Sequence, residues 1–288
     1  MEKRGPQKEQ FAKKSLGQNF LVDANAIKKI VEAVPENTPL LLEIGPGRGA
    51  LSTELYKRAQ KFSLLEKDDL FAEKIEGTLF IHGSRAHRVF HADALDFDWL
   101  RLWVDNGLPL TTPLTVAANL PYNVATEILF RLVGLQEKIP LMVLMFQKEV
   151  GQRIAAQPGG KEYGAISVAV QLFYDVKIQQ ILKPGAFRPS PKVDSIVLEF
   201  HRRAQPRLAL SKDEKDRFLA MVRACFAHRR KTVENSLSMD MAKLWWLKGI
   251  AKANLQEILK SVGIDGMRRA ETISIEEFGK LFAALGKA

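Results

Sequence analysis

From about Asp23 to Phe200, short continuous apolar runs alternate with stretches of helical period, and few folds accommodate that rhythm. The strand-like runs are Leu40 to Ile44, Phe62 to Leu65, Arg88 to His91, Leu114 to Ala118, Leu141 to Phe146, Val176 to Ile181 and Ile196 to Phe200. Between most of them lie helical patterns such as Leu51 to Arg58 and Ala125 to Val133. Ahead of them Asp23 can N-cap a helix whose Ile27, Ile30, Val31 and Val34 share a face. Strands separated by helices read as βαβ units, so the expected fold class is α/β with a mostly parallel sheet. The last two runs are joined by Lys183 to Pro191, rich in proline and without a helix, and are expected to form an antiparallel hairpin at a sheet edge.

After Phe200 the pattern changes. Residues 201–211 read as a linker, and Lys212 to His228, Lys231 to Met239, Leu255 to Val262 and Ile275 to Ala284 are helical in period. The expected organisation is a basic segment over 1–22, an α/β domain over 23–200, a linker over 201–211 and a helical domain over 212–288. The chain carries 43 Lys and Arg against 33 Asp and Glu, a formal charge of +10. Residues 201–231 hold ten of the basic residues and three of the acidic ones, a net of +7. Such a concentration favours a polyanionic partner. A single cysteine, Cys225, excludes an intrachain disulfide framework and a multi-cysteine zinc site. Met1 to Phe11 alternates in charge with no apolar core, unlike a targeting peptide, and no apolar run approaches the ~20 residues of a membrane span. A cytoplasmic location with no membrane partner is expected.

Leu42-Glu-Ile-Gly-Pro-Gly-Arg-Gly49 leaves a strand, turns through three glycines and enters a helix. Glycine permits a sharp turn and a close approach of backbone to ligand, and a helix start offers free N–H groups. The next strand ends in Glu66, whose carboxylate can accept both hydroxyls of a ribose. The one after ends near Asp93, placed for an adenine edge. Together they point to an adenosine-containing ligand in the crevice of an open α/β sheet. They do not distinguish which ligand, since Gly45 to Ala50 also satisfies the dinucleotide pattern G-x-G-x-x-A.

A fourth strand ends in Asn119-Leu-Pro-Tyr122, a tip of the kind found in methyltransferases acting on the adenine amine. The N6 nitrogen is a poor nucleophile because its lone pair is delocalised into the ring. Acceptors on both of its hydrogens, the Asn119 amide oxygen and the Leu120 carbonyl, would draw it towards tetrahedral geometry and free that pair. Pro121 stiffens the turn, and Tyr122 offers a face on which a flipped base can stack. A sulfonium methyl donor then needs in-line positioning and no metal. Such a pocket needs slack for a second methyl, for which the small Ala117 and Ala118 are candidates.

Taken together, Leu16-Gly-Gln-Asn-Phe-Leu21, Glu43-Ile-Gly-Pro-Gly47, Asn119-Leu-Pro-Tyr122, Phe187-Arg-Pro-Ser-Pro-Lys-Val-Asp-Ser195 and Arg229-Arg-Lys-Thr-Val-Glu-Asn-Ser-Leu237 resemble the ribosomal RNA adenine N6,N6-dimethyltransferases. Gly263 to Ser274 is similar to the small-subunit (16S) branch in particular. The resemblance runs from about Lys13 to Leu281. It implies a Rossmann-like class I fold that binds S-adenosylmethionine (SAM) through Asn19, Leu21, Gly45, Gly47, Glu66, Asp93 and Asn119. Catalytic roles are implied for Asn119, Leu120, Pro121, Tyr122 and Phe187, the last as an aromatic closing over the target base. Phe187 can equally be a core residue anchoring its loop. Lys13, Lys14, Arg223, Arg229, Arg230 and Lys231 are the expected RNA contacts.

The implied activity is SAM-dependent dimethylation of two adjacent adenosines in the 3′-terminal hairpin loop of 16S ribosomal RNA. It would act on the 30S subunit late in ribosome biogenesis, as a monomer. The alternatives are the 23S-directed antibiotic-resistance branch and a non-catalytic RNA-binding or transcription factor on the same fold. An NAD-dependent oxidoreductase would have no use for Asn119-Leu-Pro-Tyr122. The chain departs from the family in Leu16, in Lys67 beside Glu66, and in the stretch Asp98 to Pro113, which has no assigned role.

Overall fold

A computed structural model describes residues 19–81, 87–247 and 252–286. Lys13 and Lys14, both expected RNA contacts, lie outside the described residues. Seven strands form one sheet: β2 (Thr38–Ile44), β3 (Ala59–Glu66), β4 (His87–His91), β5 (Leu114–Asn119), β6 (Leu141–Gln147), β7 (Tyr174–Leu182) and β9 (Ser195–Arg202). Their order is β4-β3-β2-β5-β6-β9-β7, and β4, β3, β2, β5 and β6 pair in parallel. Strands covered on both faces need apolar side chains pointing both ways, which is why Leu40, Leu41 and Leu42 are all fully buried. The two runs expected at the sheet edge are neighbours there, with β9 next to β6 and β7 outermost.

Two-residue strands β1 (Phe20–Leu21) and β8 (Phe187–Arg188) form a separate antiparallel ladder that no local sequence pattern announces. The helix α1 (Ala24–Glu32) starts where Asp23 accepts the Ala26 N–H at 2.8 Å, a cap worth about 1 kcal/mol. Its Ile30 and Val31 pack on a core that includes Leu41, Phe62, Leu64, Val143, Val197 and Phe187. Each such side chain withdrawn from water contributes roughly 1.5–3 kcal/mol. The first βα connection is shorter than its helical pattern: α2 is Ser52–Leu55, followed by a single 3-10 turn at Tyr56–Arg58. The helix after β3 is α3 (Asp69–Ile81). Within Asp98 to Pro113 lies a short helix, α4 (Arg101–Val104), that buries Trp103, whose indole N–H donates to the Thr112 carbonyl at 2.7 Å. The helix α5 (Ala125–Gly134) follows β5.

The chain divides into two compact units. One holds the residues up to Lys148 together with Gln179–Glu199; the other holds Glu149–Ile178 and the residues from Phe200 onward. The sequence reading ran the sheet domain unbroken to Phe200, whereas the contacts draw 149–178 into the helical unit. That stretch carries α6 (Lys148–Ala155) and α7 (Ala165–Gln171). Tyr163 stacks edge-on against Phe226 at 5.9 Å, the Gly159 N–H donates to the Glu271 carbonyl at 2.7 Å, and Arg207 donates to the Gln171 carbonyl at 3.1 Å. The helical unit continues with α8 (Lys212–Phe226), α9 (Val233–Asp240), α10 (Lys252–Ser261) and α11 (Ile275–Leu285). Ser211 and Ser274 start α8 and α11 with capping boxes completed by Glu214 and Glu277. Phe218 and Phe282 meet at 5.7 Å in its core. Cys225 is buried there, and burial pushes its thiol up to about 12.

Candidate methyl-transfer site

Strand order reverses between β2 and β5, and the carboxyl ends of these two strands flank that point, where open α/β sheets bind ligands. A cleft of ≈ 940 Å³, its open mouth included, lies there. Its walls come from Asn19, Phe20 and Leu21, from the turn after β2, from Glu66 and Lys67 ending β3, from Asp93 after β4, and from Asn119 to Val124 after β5.

The turn works only with glycine. Gly47 has φ +52, and a Cβ there would sit 2.9 Å from the Phe20 ring. Gly45 has φ +66 and lies near Pro121 and the Asn119 carbonyl, so the turn and the β5 tip form one wall. The Gly47 N–H donates to the Glu66 carboxylate at 3.0 Å, and the Asp68 N–H donates to its other oxygen at 2.8 Å. Glu66 is thus held rigidly at the foot of the cleft. Burial raises its pKa, partly offset by these two backbone donors. Asp93 accepts the Leu95 N–H at 3.0 Å and pairs with the Lys67 ammonium at 2.6 Å. Both interactions hold its carboxyl below the usual range. Lys67, one of the departures from the family, therefore ties two strand tips together.

The Asn119 amide nitrogen donates to the Asn19 carbonyl at 2.9 Å. With the nitrogen engaged, the amide oxygen is the end left to accept. Leu120 is buried, Pro121 follows, and the Tyr122 hydroxyl lies 2.5 Å from that of Ser195. Two participants escaped the sequence reading. Phe20 lines the cleft, meets Phe71 at 5.3 Å and carries the Arg48 guanidinium 4.5 Å over its ring. Glu43 also lines the cleft, is almost wholly buried, and accepts the Ser52 hydroxyl at 2.6 Å. Burial pushes its carboxyl up to about 8. An acidic residue inside the glycine motif was the available signal for Glu43.

The cleft thus gathers Asn19, Leu21, Gly45, Gly47, Glu66, Asp93, Asn119, Leu120, Pro121 and Tyr122 from five segments. Phe187 corrects the expectation of a base-closing aromatic. It is fully buried, pairs opposite Leu21 in the β1–β8 ladder, and does not line the cleft. Its apolar ring is better satisfied in the core, which is the anchoring alternative. Ala117 and Ala118 are likewise buried within β5 and do not line the cleft. On the helical unit, Arg223 in the last turn of α8 and Arg229, Arg230 and Lys231 between α8 and α9 are all exposed. Arg229 donates to the Lys161 carbonyl.

A sheet of this order with its cleft at the reversal point is the class I SAM-dependent methyltransferase fold. Two solved structures share it: a dimethyladenosine transferase from Plasmodium falciparum (22% identity, TM-score 0.75, covering 91% of this chain and 95% of that one) and the 23S rRNA methyltransferase ErmE (24%, 0.67, 93% and 99%). The chain belongs to the ribosomal RNA adenine dimethylase family, whose model matches residues 9–283. It is 41% identical over 275 residues to the ribosomal RNA small subunit methyltransferase A of Geobacter sulfurreducens, covering 95% of each chain. It is equally identical over 278 residues to the protein of that name from Bacillus cereus strain AH187, covering 95% of this chain and 91% of that one. Among the described residues no cluster of three or more His, Cys, Asp or Glu is arranged to hold a metal, and no helix is long and apolar enough to cross a membrane.

Proposed function

We propose that this protein dimethylates the N6 amine of two adjacent adenosines in the 3′-terminal hairpin loop of 16S ribosomal RNA, with SAM as donor. The observation carrying this reading is that Asn119-Leu-Pro-Tyr122 lines the same cleft as Gly45, Gly47, Glu66 and Asp93. The residues fit a cationic adenosine ligand. Glu66 is a buried carboxylate with remaining lone pairs for ribose hydroxyls, Asp93 can accept from an adenine amine, and Glu43 and the Asn19–Leu21 wall enclose the rest. SAM supplies a methyl group on a positively charged sulfur. Asn119 and Leu120 accept the two N6 hydrogens of the target and hold the amine in line, Pro121 keeps that pair rigid, and Tyr122 stacks on the flipped base. Arg223, Arg229, Arg230 and Lys231 bind phosphates through exposed charge. The enzyme is read as a cytoplasmic monomer acting on small subunits late in assembly.

The test is incubation with SAM and 30S particles lacking these methyl groups, followed by nuclease digestion and mass spectrometry. Dimethyladenosine in 16S RNA and none in 23S RNA is expected. Efficient methylation of 23S RNA would move the protein to the resistance branch. A product that stops at monomethyladenosine would refute the dimethylation.

A further inference from the structure

Tyr122 reaches the cleft from the tip after β5, and its hydroxyl meets that of Ser195, 73 positions away, at 2.5 Å. Ser195 is fully buried and is the first residue of β9. Its neighbour Asp194 fixes that point from three sides. The Asp194 carboxylate accepts from the Lys183 ammonium at 3.0 Å and from the Lys148 ammonium at 3.3 Å, and its carbonyl accepts the Lys148 N–H at 2.9 Å. The start of β9 is thereby tied to Lys148, which follows β6 and opens α6, and to the segment after β7. Ser195 offers Tyr122 an anchored hydroxyl.

A tyrosine ring turns about two side-chain bonds, and a base stacks as well on phenylalanine as on tyrosine, so the hydroxyl is not needed for stacking itself. What the hydroxyl adds is a second point of attachment. We infer that Ser195 is a positioning residue for methyl transfer, pinning the Tyr122 hydroxyl so that the ring face holds the target adenine at a single depth and angle. This rests on the reading that Tyr122 stacks on the base. Pinning matters most for the second methyl. Once one methyl is on, the amine keeps a single hydrogen, so the hydrogen bonds at Asn119 and Leu120 hold it less firmly and the stacked ring carries more of the alignment.

Ser195→Ala and Tyr122→Phe remove the same contact from opposite ends. Each is expected to lower kcat by about tenfold, since small displacements of a reacting group are costly, with KM for the 30S substrate and SAM affinity unchanged. Each should also shift product from dimethyl- towards monomethyladenosine. The double variant should be no slower than either single one. Multiplying losses, or a fall in kcat for Ser195→Ala only, would make Ser195 a packing residue and overturn the inference. Should Ser195→Ala fail to fold, Tyr122→Phe with full kcat and full dimethylation overturns it alone. Tyr122→Ala separates the two levels. Normal turnover there would defeat the stacking reading itself, whereas a slow Tyr122→Ala beside fully active Ser195→Ala and Tyr122→Phe would defeat only the pin.

Discussion

The cleft of the sheet unit and the basic stretch of the helical unit handle charge in opposite ways. In the cleft, Glu43 and Glu66 are buried, Asp93 is partly covered, and each carboxyl group is held by named hydrogen bonds over 2.6–3.0 Å. Around Arg223, Arg229, Arg230 and Lys231 the side chains lie open to solvent. Fixed, desolvated groups select one ligand geometry, while exposed cations bind any phosphate backbone and yield to salt. Chemistry and grip are therefore separable by mutation.

The sharpest break comes at Asn119. Asn119→Ala should cost on the order of 3 kcal/mol in the transition state, a hundredfold or more in rate, while RNA affinity stays intact. Single-turnover rates with filter-binding Kd values check both halves, and near-normal turnover would remove Asn119 from the mechanism. The converse break is Arg229→Glu with Arg230→Glu. Each phosphate contact adds about 0.7–0.9 to the slope of log affinity against log salt. The pair should therefore flatten the RNA salt titration by about 1.4–1.8, with SAM affinity unchanged. An unaltered slope would mean that these arginines only solvate the surface.

Gly47→Ala sharpens the comparison on the cleft side. A methyl at φ +52, 2.9 Å from the Phe20 ring, should weaken SAM by about 1–2 kcal/mol in calorimetry without moving the salt slope for RNA. The last effect is one of pH, and it is gradual. Glu43 holds a proton in the folded protein up to about pH 8 and loses it near 4.5 when unfolded. Its contribution to stability is present in full below pH 4.5 and is lost as pH rises towards 8, by at most about 1.4 kcal/mol per pH unit. Urea unfolding without ligand across this window should show a flatter dependence for Glu43→Gln than for the parent. Parallel curves would place Glu43 in a wetter setting than its burial implies.

The central strands could be read from the sequence because a parallel strand buried on both faces is a largely apolar run, and β2, β3, β5 and β6 carry one each. The tips that line the cleft followed, since a strand's end fixes where the next residues emerge. The β1–β8 ladder could not be read, because two residues give no period and their partners lie far apart in sequence. Phe187 was ambiguous for the same reason, as only the ladder reveals that it faces the core. Residues 149–178 were assigned to the sheet domain because their attachment to the helical unit rests on scattered single contacts, Tyr163 on Phe226 among them. Ser195 and Glu43 stood inside motifs that were read whole. Their separate roles depend on the partners Tyr122 and Ser52, which the folded chain supplies.

The β1–β8 ladder has a consequence for the order in which the enzyme comes into being. The wall formed by Asn19, Phe20 and Leu21 leaves the ribosome before every strand of the large sheet, yet its strand partner, Phe187–Arg188, follows six of them. Domains fold as synthesis proceeds, and contacts between distant residues must wait for both ends. A nascent chain released before Arg188 carries β2 to β6 and the glycine turn, but its earliest wall has nothing to pair with. That wall of the cleft therefore closes only after the chain has reached Arg188, later than the strands whose tips form the rest of it.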